Sequence, residues 1–567
     1  MLVRRAAMGL RRASTFPFSG RQREQHMSRA EANHIPASWR SLRLPRLEGW
    51  PSLALWAAAA ACAAVLLLPT VYLVIRAFTA SDAALQTLLR PRTWETVART
   101  AGLALAVTAA SSVIAVPLAW LTVRTDLPLR RLWSVLTPLP LVIPSYVGAY
   151  LYASALGPRG LLQQALEAPL GITRLPDIYG FPGALFTLTL LSYPYILLSA
   201  RAALQRMDPA LEEASRGLGS GAWGTFLRVT LPHLRPALGA GGLLVALYAL
   251  RDFGAVAIMR YDTFTRVIYT QYRSFDRSQA ALFALILIGL TLVLLMLEAR
   301  LRGRARYDHS AATRPPAQVA LGPWRWPALL FCGLVVLLSL ALPAGVLVYW
   351  LVRGLLAGEA LGSLGEITLN SVSAAAISAL ATTLAALPVA VLVVRRASGL
   401  TRALERLVYS AYALPGIAVA LALVFFGVNY ALPLYQTFAM LILAYGVLFL
   451  PQAVGALRAA LLQVHPSLEE SARSLGRTPL QVFVTITAPL IRPGFTAGAA
   501  LVFLTAMKEL PTTLILAPIG FQTLATAVWS AVSEAFFARA AAPALLIVLL
   551  SSVPMALITL REHRDRP

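Results

Sequence analysis

The sequence predicts an all-α polytopic membrane protein built from two parallel six-helix repeats, and three observations carry that prediction. Of its 567 residues, 58% are hydrophobic and 13% charged, whereas soluble domains are nearer half apolar and a quarter charged. Long apolar segments recur along the chain, each close to the ~20 residues a helix needs to cross ~30 Å of hydrocarbon. The chain also says nearly the same thing twice. Asp208-Pro-Ala-Leu-Glu-Glu-Ala-Ser-Arg-Gly-Leu-Gly219, ending at Leu231-Pro232, returns as His465-Pro-Ser-Leu-Glu-Glu-Ser-Ala-Arg-Ser-Leu-Gly476, ending at Ala488-Pro489.

Register supports a duplication. Glu212 and Glu469, Gly219 and Gly476, Pro232 and Pro489, and Pro236 and Pro493 all differ by 257 positions. Upstream, Pro117–Arg124 aligns with Pro388–Arg395 and Pro144 with Pro415, here 271 positions apart. The 14 extra residues fall between the third and fifth spans of the first half. The Gly/Pro-rich stretch from Gly157 to Pro182 is where an external loop would tolerate them.

Hydropathy places spans near 53–75, 98–123, 132–156, 182–201, 237–259 and 278–299, then near 327–352, 367–394, 407–428, 434–457, 494–517 and 541–560. Residues 1–50 read as a basic cytoplasmic tail without an apolar stripe, 51–300 as the first repeat, 301–325 as a cytoplasmic linker and 326–567 as the second repeat. The apolar run after the tail is too long for a cleaved signal. Six spans per half give both halves one orientation, a parallel repeat about an axis along the membrane normal.

The net charge of +24 comes from arginines clustered at alternate ends of the spans. The positive-inside bias explains that spacing and puts both termini in the cytoplasm. A nucleic-acid binder would gather its charge on one soluble face, so lipid rather than nucleic acid is the expected surroundings. Cys62 and Cys332 each lie inside a span and offer no disulfide framework. The single lysine, Lys508, does not follow glycine, so no Walker A loop is possible. With no Cys/His ligand spacing either, the chain is expected to carry no catalytic residue, bound cofactor or metal.

Between the fourth and fifth spans of each half lies a segment fit for two short helices. In the first, residues 203–218 carry Glu212 and Glu213, Gly219 supplies the left-handed stop, and Ser220 opens a second helix with Trp223, Phe226 and Leu227 as its apolar contacts. Pro232 is expected to close it. The second copy places Arg477-Thr478-Pro479 as cap and first-turn proline, with Leu480, Val482 and Phe483 as the apolar face. Helices lying on a membrane surface show similar faces, but have no reason to keep Gly219 with Pro232 and Gly476 with Pro489.

In the following spans, Arg251-Asp252 and Lys508-Glu509 interrupt an apolar helix at equivalent positions. Counted from inner ends near residues 237 and 494, they stand roughly 20 Å up the helix. Ionisable groups at membrane depth are costly and face a cavity or a partner. Two readings stay open: a charged collar on the translocation pathway, or bases that lock acids on neighbouring helices.

Glu213-Ala214-Ser215 with Gly219 and Pro232, and Glu470-Ser471-Ala472 with Gly476 and Pro489, resemble the cytoplasmic coupling loop of ABC-transporter permeases. The resemblance implies a type I importer permease in a bacterial inner membrane. ATP and Mg²⁺ would be bound by a separate homodimeric subunit on the cytoplasmic side, whose clefts accept one helix from each half. A periplasmic or lipid-anchored substrate-binding protein would deliver cargo. Glu213 and Glu470 would orient each loop by pairing with arginines on the loop or on the ATPase.

Lys508-Glu-Leu-Pro-Thr-Thr-Leu-Ile-Leu-Ala-Pro518, then Gly520-Phe521 and Thr523-Leu-Ala-Thr526, with Tyr412-Ala-Leu-Pro-Gly416, resemble the fused ferric-iron branch of that family. The first half departs from it, having Arg251-Asp-Phe-Gly254 instead. Thiamine, sulfate, phosphonate and polyamine importers share the scaffold. An ion-coupled carrier of two six-helix halves would also show parallel repeats, but without paired Glu-Gly-Pro loops.

Overall fold

Backbone polar groups in hydrocarbon must be satisfied within their own segment, which leaves helices as the solution for spans this apolar. A computed structural model describes residues 50–78, 82–274, 277–301, 318–359, 363–396 and 398–564. The expected tail and most of the linker lie outside the described residues. Ala54–Pro567 forms one compact unit, so the two repeats are not separate bodies.

The first half comprises α1 (Trp50–Phe78), α2 (Asp82–Leu89), α3 (Pro91–Arg124), α4 (Arg130–Leu136), α5 (Ser145–Leu156), α6 (Leu161–Leu170), α7 (Phe181–Arg206), α8 (Pro209–Gly217), α9 (Ala222–Thr225), α10 (Leu231–Arg251), α11 (Gly254–Ile258), α12 (Phe264–Arg273) and α13 (Arg277–Leu301). The second comprises α14 (Arg325–Val336), α15 (Leu342–Leu356), α16 (Leu364–Arg395), α17 (Gly399–Ser410), α18 (Gly416–Tyr430), α19 (Phe438–Gln463), α20 (Pro466–Ser474), α21 (Pro479–Val482), α22 (Ala488–Met507), α23 (Pro511–Leu516), α24 (Leu524–Ser533) and α25 (Phe537–Arg564). Among the described residues the only extended pairing is a single bridge between Thr125 and Val319.

Nine helices among the described residues are long and apolar enough to cross a membrane, and two further pairs qualify only if each bent pair counts as one span. Those pairs correct the expected straight spans 132–156 and 407–428, which bend by 99° and 104°. The cause is proline. Ile143 and Leu414 precede Pro144 and Pro415 and take extended ψ of 120° and 113°, because a proline disfavours helical geometry in the residue before it. The expected twelfth span, 541–560, lies within α25.

The fifth spans also differ from expectation. They begin at Leu231 and Ala488, six residues early, and end at Arg251 and Met507 rather than continuing to 259 and 517. Pro232 and Pro489 do not close the preceding helices. A wide π turn, Phe226–Thr230 and Phe483–Thr487, comes just before each, and helix continues through both. Proline donates no N–H and its ring crowds the carbonyl four residues back. One wide turn absorbs that defect without breaking the rod.

The 14-residue insertion falls where expected, between α5 and α7, and part of it is helical as α6. Each half lends its first span to the other. α1 packs on the second half, with Tyr72 against Phe425 and its hydroxyl accepting from Asn429 Nδ2 at 3.1 Å. The α14–α15 rod packs on the first half, where the Tyr152 hydroxyl donates to the Leu338 carbonyl at 2.8 Å and Trp350 Nε1 to Ser154 Oγ at 3.2 Å, while α15 also meets α25 of its own half, with Trp350 against Phe537 at 5.6 Å. Within each half, small residues let helices cross closely. A Cβ on Gly241 would stand 2.8 Å from Ile196 Cα, and one on Gly494 2.3 Å from Ala460 Cβ.

Candidate functional site: two loops and a charged crossing

Both loops share one construction. Asp208 Oδ1 accepts the Ala210 N–H at 3.0 Å and opens α8; His465 Nδ1 accepts the Ser467 N–H at 3.3 Å and opens α20. At the far ends, Gly219 and Gly476 take φ of 84° and 82°. Gly219 N–H donates to Arg216 O and Ser220 N–H to Ser215 O; Gly476 N–H donates to Arg473 O and Arg477 N–H to Ala472 O. These are the two bonds of the glycine-terminated helix stop, and they satisfy carbonyls that the helix end would strand. Thr478 and Gln481 cap α21 reciprocally.

The apolar faces split in two directions. Phe226 sits between Trp120 of α3 and Trp223, at ring separations of 6.0 and 5.5 Å, and Val482 is buried. Trp223, Leu218 and Leu227 in the first loop, and Leu475, Leu480 and Val484 in the second, are exposed. Ala214, Ser471, Glu213 and Glu470 are exposed as well, Phe483 half-buried. Counting each bent pair as one crossing, six crossings separate the loops, so both return to one face.

Among the described residues, the loop acids that form ion pairs are Glu212 and Glu469, not their neighbours Glu213 and Glu470. Glu212 Oε2 lies 3.7 Å from Arg124 Nη1 at the end of α3, and Glu469 Oε1 2.9 Å from Arg395 Nη2 at the end of α16. Each carboxylate also accepts a threonine hydroxyl from the π turn, Thr230 and Thr487, both at 2.9 Å. Each arginine donates besides to the carbonyl just after the preceding span, Arg124 to Met207 at 3.4 Å and Arg395 to Val464 at 3.1 Å. Sequence reasoning had not joined these residues, although the 271-position register ends on Arg124 and Arg395 and the 257-position register includes both acids.

The charged pairs of the fifth spans stand at helix ends, not inside helices. Asp252 is the residue after α10 and Lys508 the residue after α22. From Leu231 to Arg251 the rise is about 30 Å at 1.5 Å per residue, longer than expected because the helix starts earlier. Each acid opens the next short helix. Asp252 Oδ1 accepts the N–H groups of Ala255 and Val256, and Glu509 Oε1 accepts the N–H and hydroxyl of Thr512. The bases reach across the repeats. Lys508 Nζ donates to the Leu141 carbonyl at 3.0 Å, and Arg251 faces Glu509 and Tyr412 electrostatically. Asp252 is buried; Arg251, Lys508 and Glu509 are half-buried. No group of three or more His, Cys, Asp or Glu side chains suited to a metal occurs among the described residues.

Two helical repeats with swapped first spans, and matched loops returning to one face, define a two-repeat membrane permease. Residues 102–307 and 382–566 match the family of binding-protein-dependent transport system inner membrane components, and the chain belongs to it. It is therefore a multi-pass inner-membrane component of a transport system that works with a substrate-binding protein. The chain is 36% identical over 501 residues, 87% of its length and 95% of the relative's, to the Fe(3+)-transport system permease protein FbpB 2 of Haemophilus influenzae. Over 137 residues, 24% of this chain and 58% of the relative, it is 36% identical to the molybdenum transport system permease protein ModB of Escherichia coli K12. Against the ferric transport system permease protein FbpB of Actinobacillus pleuropneumoniae it is 25% identical over 433 residues, 72% of this chain and 62% of that one.

Proposed function

We propose that this chain is the permease of an ATP-driven importer for ferric iron, both termini in the cytoplasm, and that α8–α9 and α20–α21 each engage one cleft of a separate homodimeric ATPase. The observation that supports coupling is the repeated loop: two identical glycine stops, each presenting exposed apolar residues at membrane-protein ends where water would otherwise meet them. Trp223, Leu480 and Phe483 are the apolar contacts, and Glu213 and Glu470 the charges offered to the partner. ATP and Mg²⁺ belong to that partner, and a periplasmic or lipid-anchored binding protein delivers the cargo to the opposite face. The ferric-iron assignment draws on the 36% identity over nearly the whole chain.

The four charges of the fifth spans then form the crossing that cargo must open. The Lys508 hydrogen bond to Leu141, with Arg251 facing Glu509 electrostatically, ties the halves at the level where both fifth helices break. Separation of the halves breaks these contacts together.

The test is uptake of radiolabelled ferric iron by proteoliposomes holding the chain, its ATPase and its binding protein. ATP-dependent uptake of iron, not competed by molybdate, sulfate or thiamine, is the expected result. Uptake without the ATPase, driven by an ion gradient, would establish an ion-coupled carrier instead.

A further inference from the structure

We propose that Arg124 and Arg395 are positioning residues for the two coupling loops and act through Glu212 and Glu469. Each guanidinium sits where three membrane helices reach the loop. It ends one helix, α3 or α16, donates to the carbonyl just beyond a second, α7 or α19, and pairs with the first loop helix, α8 or α20. The carboxylate passes the connection to the fifth helix by accepting Thr230 or Thr487. A guanidinium presents its donors in a fixed plane; that of Arg395 donates to carbonyl and carboxylate at once, at 3.1 and 2.9 Å, while Arg124 donates to the carbonyl and meets its carboxylate as an ion pair at 3.7 Å. The loop helix can then shift only together with the spans on either side. That is the requirement for a push on α8 or α20 to become rigid motion of a half.

Recurrence argues for this role. The arginine, acid, threonine and carbonyl recur at all four positions, although the acid-to-arginine registers differ between the repeats. The copies are not equal in cover. At the first clamp, Val319 N–H donates to the Arg124 carbonyl at 2.7 Å and Leu321 N–H to Asp126 Oδ1 at 2.8 Å, laying the end of the linker over the arginine. The Arg124 side chain is fully buried, whereas that of Arg395 remains 18% exposed. The second clamp is the one a substitution should loosen with least disturbance elsewhere.

The geometry stands by itself, while its consequence for transport rests on the permease reading above. Full-length chain in lipid nanodiscs, with Cys62→Ser and Cys332→Ala, receives one spin label at Leu475→Cys or at its equivalent Leu218→Cys, both exposed loop tips. Arg395→Gln or Glu469→Gln should at least double label mobility at 475 and leave 218 unchanged. Thr487→Val, which keeps the charges and removes one hydroxyl, should move 475 the same way by less. Exchange of the pair, Arg395→Glu with Glu469→Arg, should recover part of the immobility, since the ion pair returns while the carbonyl and threonine bonds stay lost. In the assembled transporter, the single variants should lower solute moved per ATP hydrolysed at least threefold, and the exchange should recover part of that loss. Unchanged mobility in every variant, or equal loosening of both loops, would overturn the proposal. Loosening at 475 in a chain that binds no ATPase when one is supplied would uphold the clamp and contradict the permease reading alone.

Discussion

Lys508 Nζ donates a 3.0 Å hydrogen bond to the carbonyl of Leu141, joining residues 367 positions apart and on opposite repeats. Leu141 belongs to the short 3₁₀ turn Leu139–Val142 inside the first bend, where prolines leave carbonyls without helical partners. The lysine fills such a gap from the other half. Lys508→Met keeps the stem and removes the ammonium, so it should cost about 1.5–3 kcal/mol, the range for a hydrogen bond to a charged group. Thermal unfolding of the purified chain in detergent reads that loss.

Arg251 and Glu509 face each other across the repeats within electrostatic reach. Removing either partner alone strands a charge in a poorly hydrated place, whereas removing both strands none. The double variant Arg251→Gln with Glu509→Gln should therefore be more stable than the sum of the single losses implies. A coupling of about 0.5–3 kcal/mol is expected from a double-mutant cycle, and additivity within error would show that the pair does not tie the halves.

Gly241 is held against backbone, since an added Cβ would lie 2.8 Å from Ile196 Cα. Gly217, in the first loop helix, has open space around it. Gly241→Ala should lower stability by about 1–3 kcal/mol through overpacking, while Gly217→Ala should be neutral or slightly stabilising. Paired thermal melts distinguish them.

Gly219 and Gly476 are constrained by conformation, with φ near +83° and no neighbour within 4 Å. A side chain there costs about 1–2 kcal/mol of backbone strain. Gly476→Val should speed protease cleavage between α20 and α21 and leave the membrane helices intact, and Gly476→Asn should do so less, because asparagine tolerates the left-handed region better.

Much of this was legible in the sequence. Repeat, loops and glycine stops follow from residue type and spacing, whereas the charges of the fifth spans read as lying inside helices that in fact end at them. Four further features were not. Hydropathy averages over Thr137–Ile143 and cannot register that Pro144 turns the chain, so a bent pair reads as a straight span. Pro232 and Pro489 look like stops, yet one wide turn ahead of each lets the helix run on. Glu212 and Glu213 are adjacent and about 100° apart around α8; which of them faces Arg124 is decided by how α8 packs on α3, and a motif centred on Glu213 points to the exposed one. The swap of first spans was hidden for a similar reason, since an apolar face does not name its partner.

The most direct measurement of the account uses Trp223 and Leu480, which are 72% and 66% exposed on the two loop helices. In the background lacking Cys62 and Cys332, Trp223→Cys and Leu480→Cys are treated separately with a membrane-impermeant maleimide in right-side-out and inverted vesicles. Both should label only in inverted vesicles, and co-expression of the ATPase should protect both. Labelling from opposite sides, or no protection at either position, would contradict a permease driven through two loops on one face.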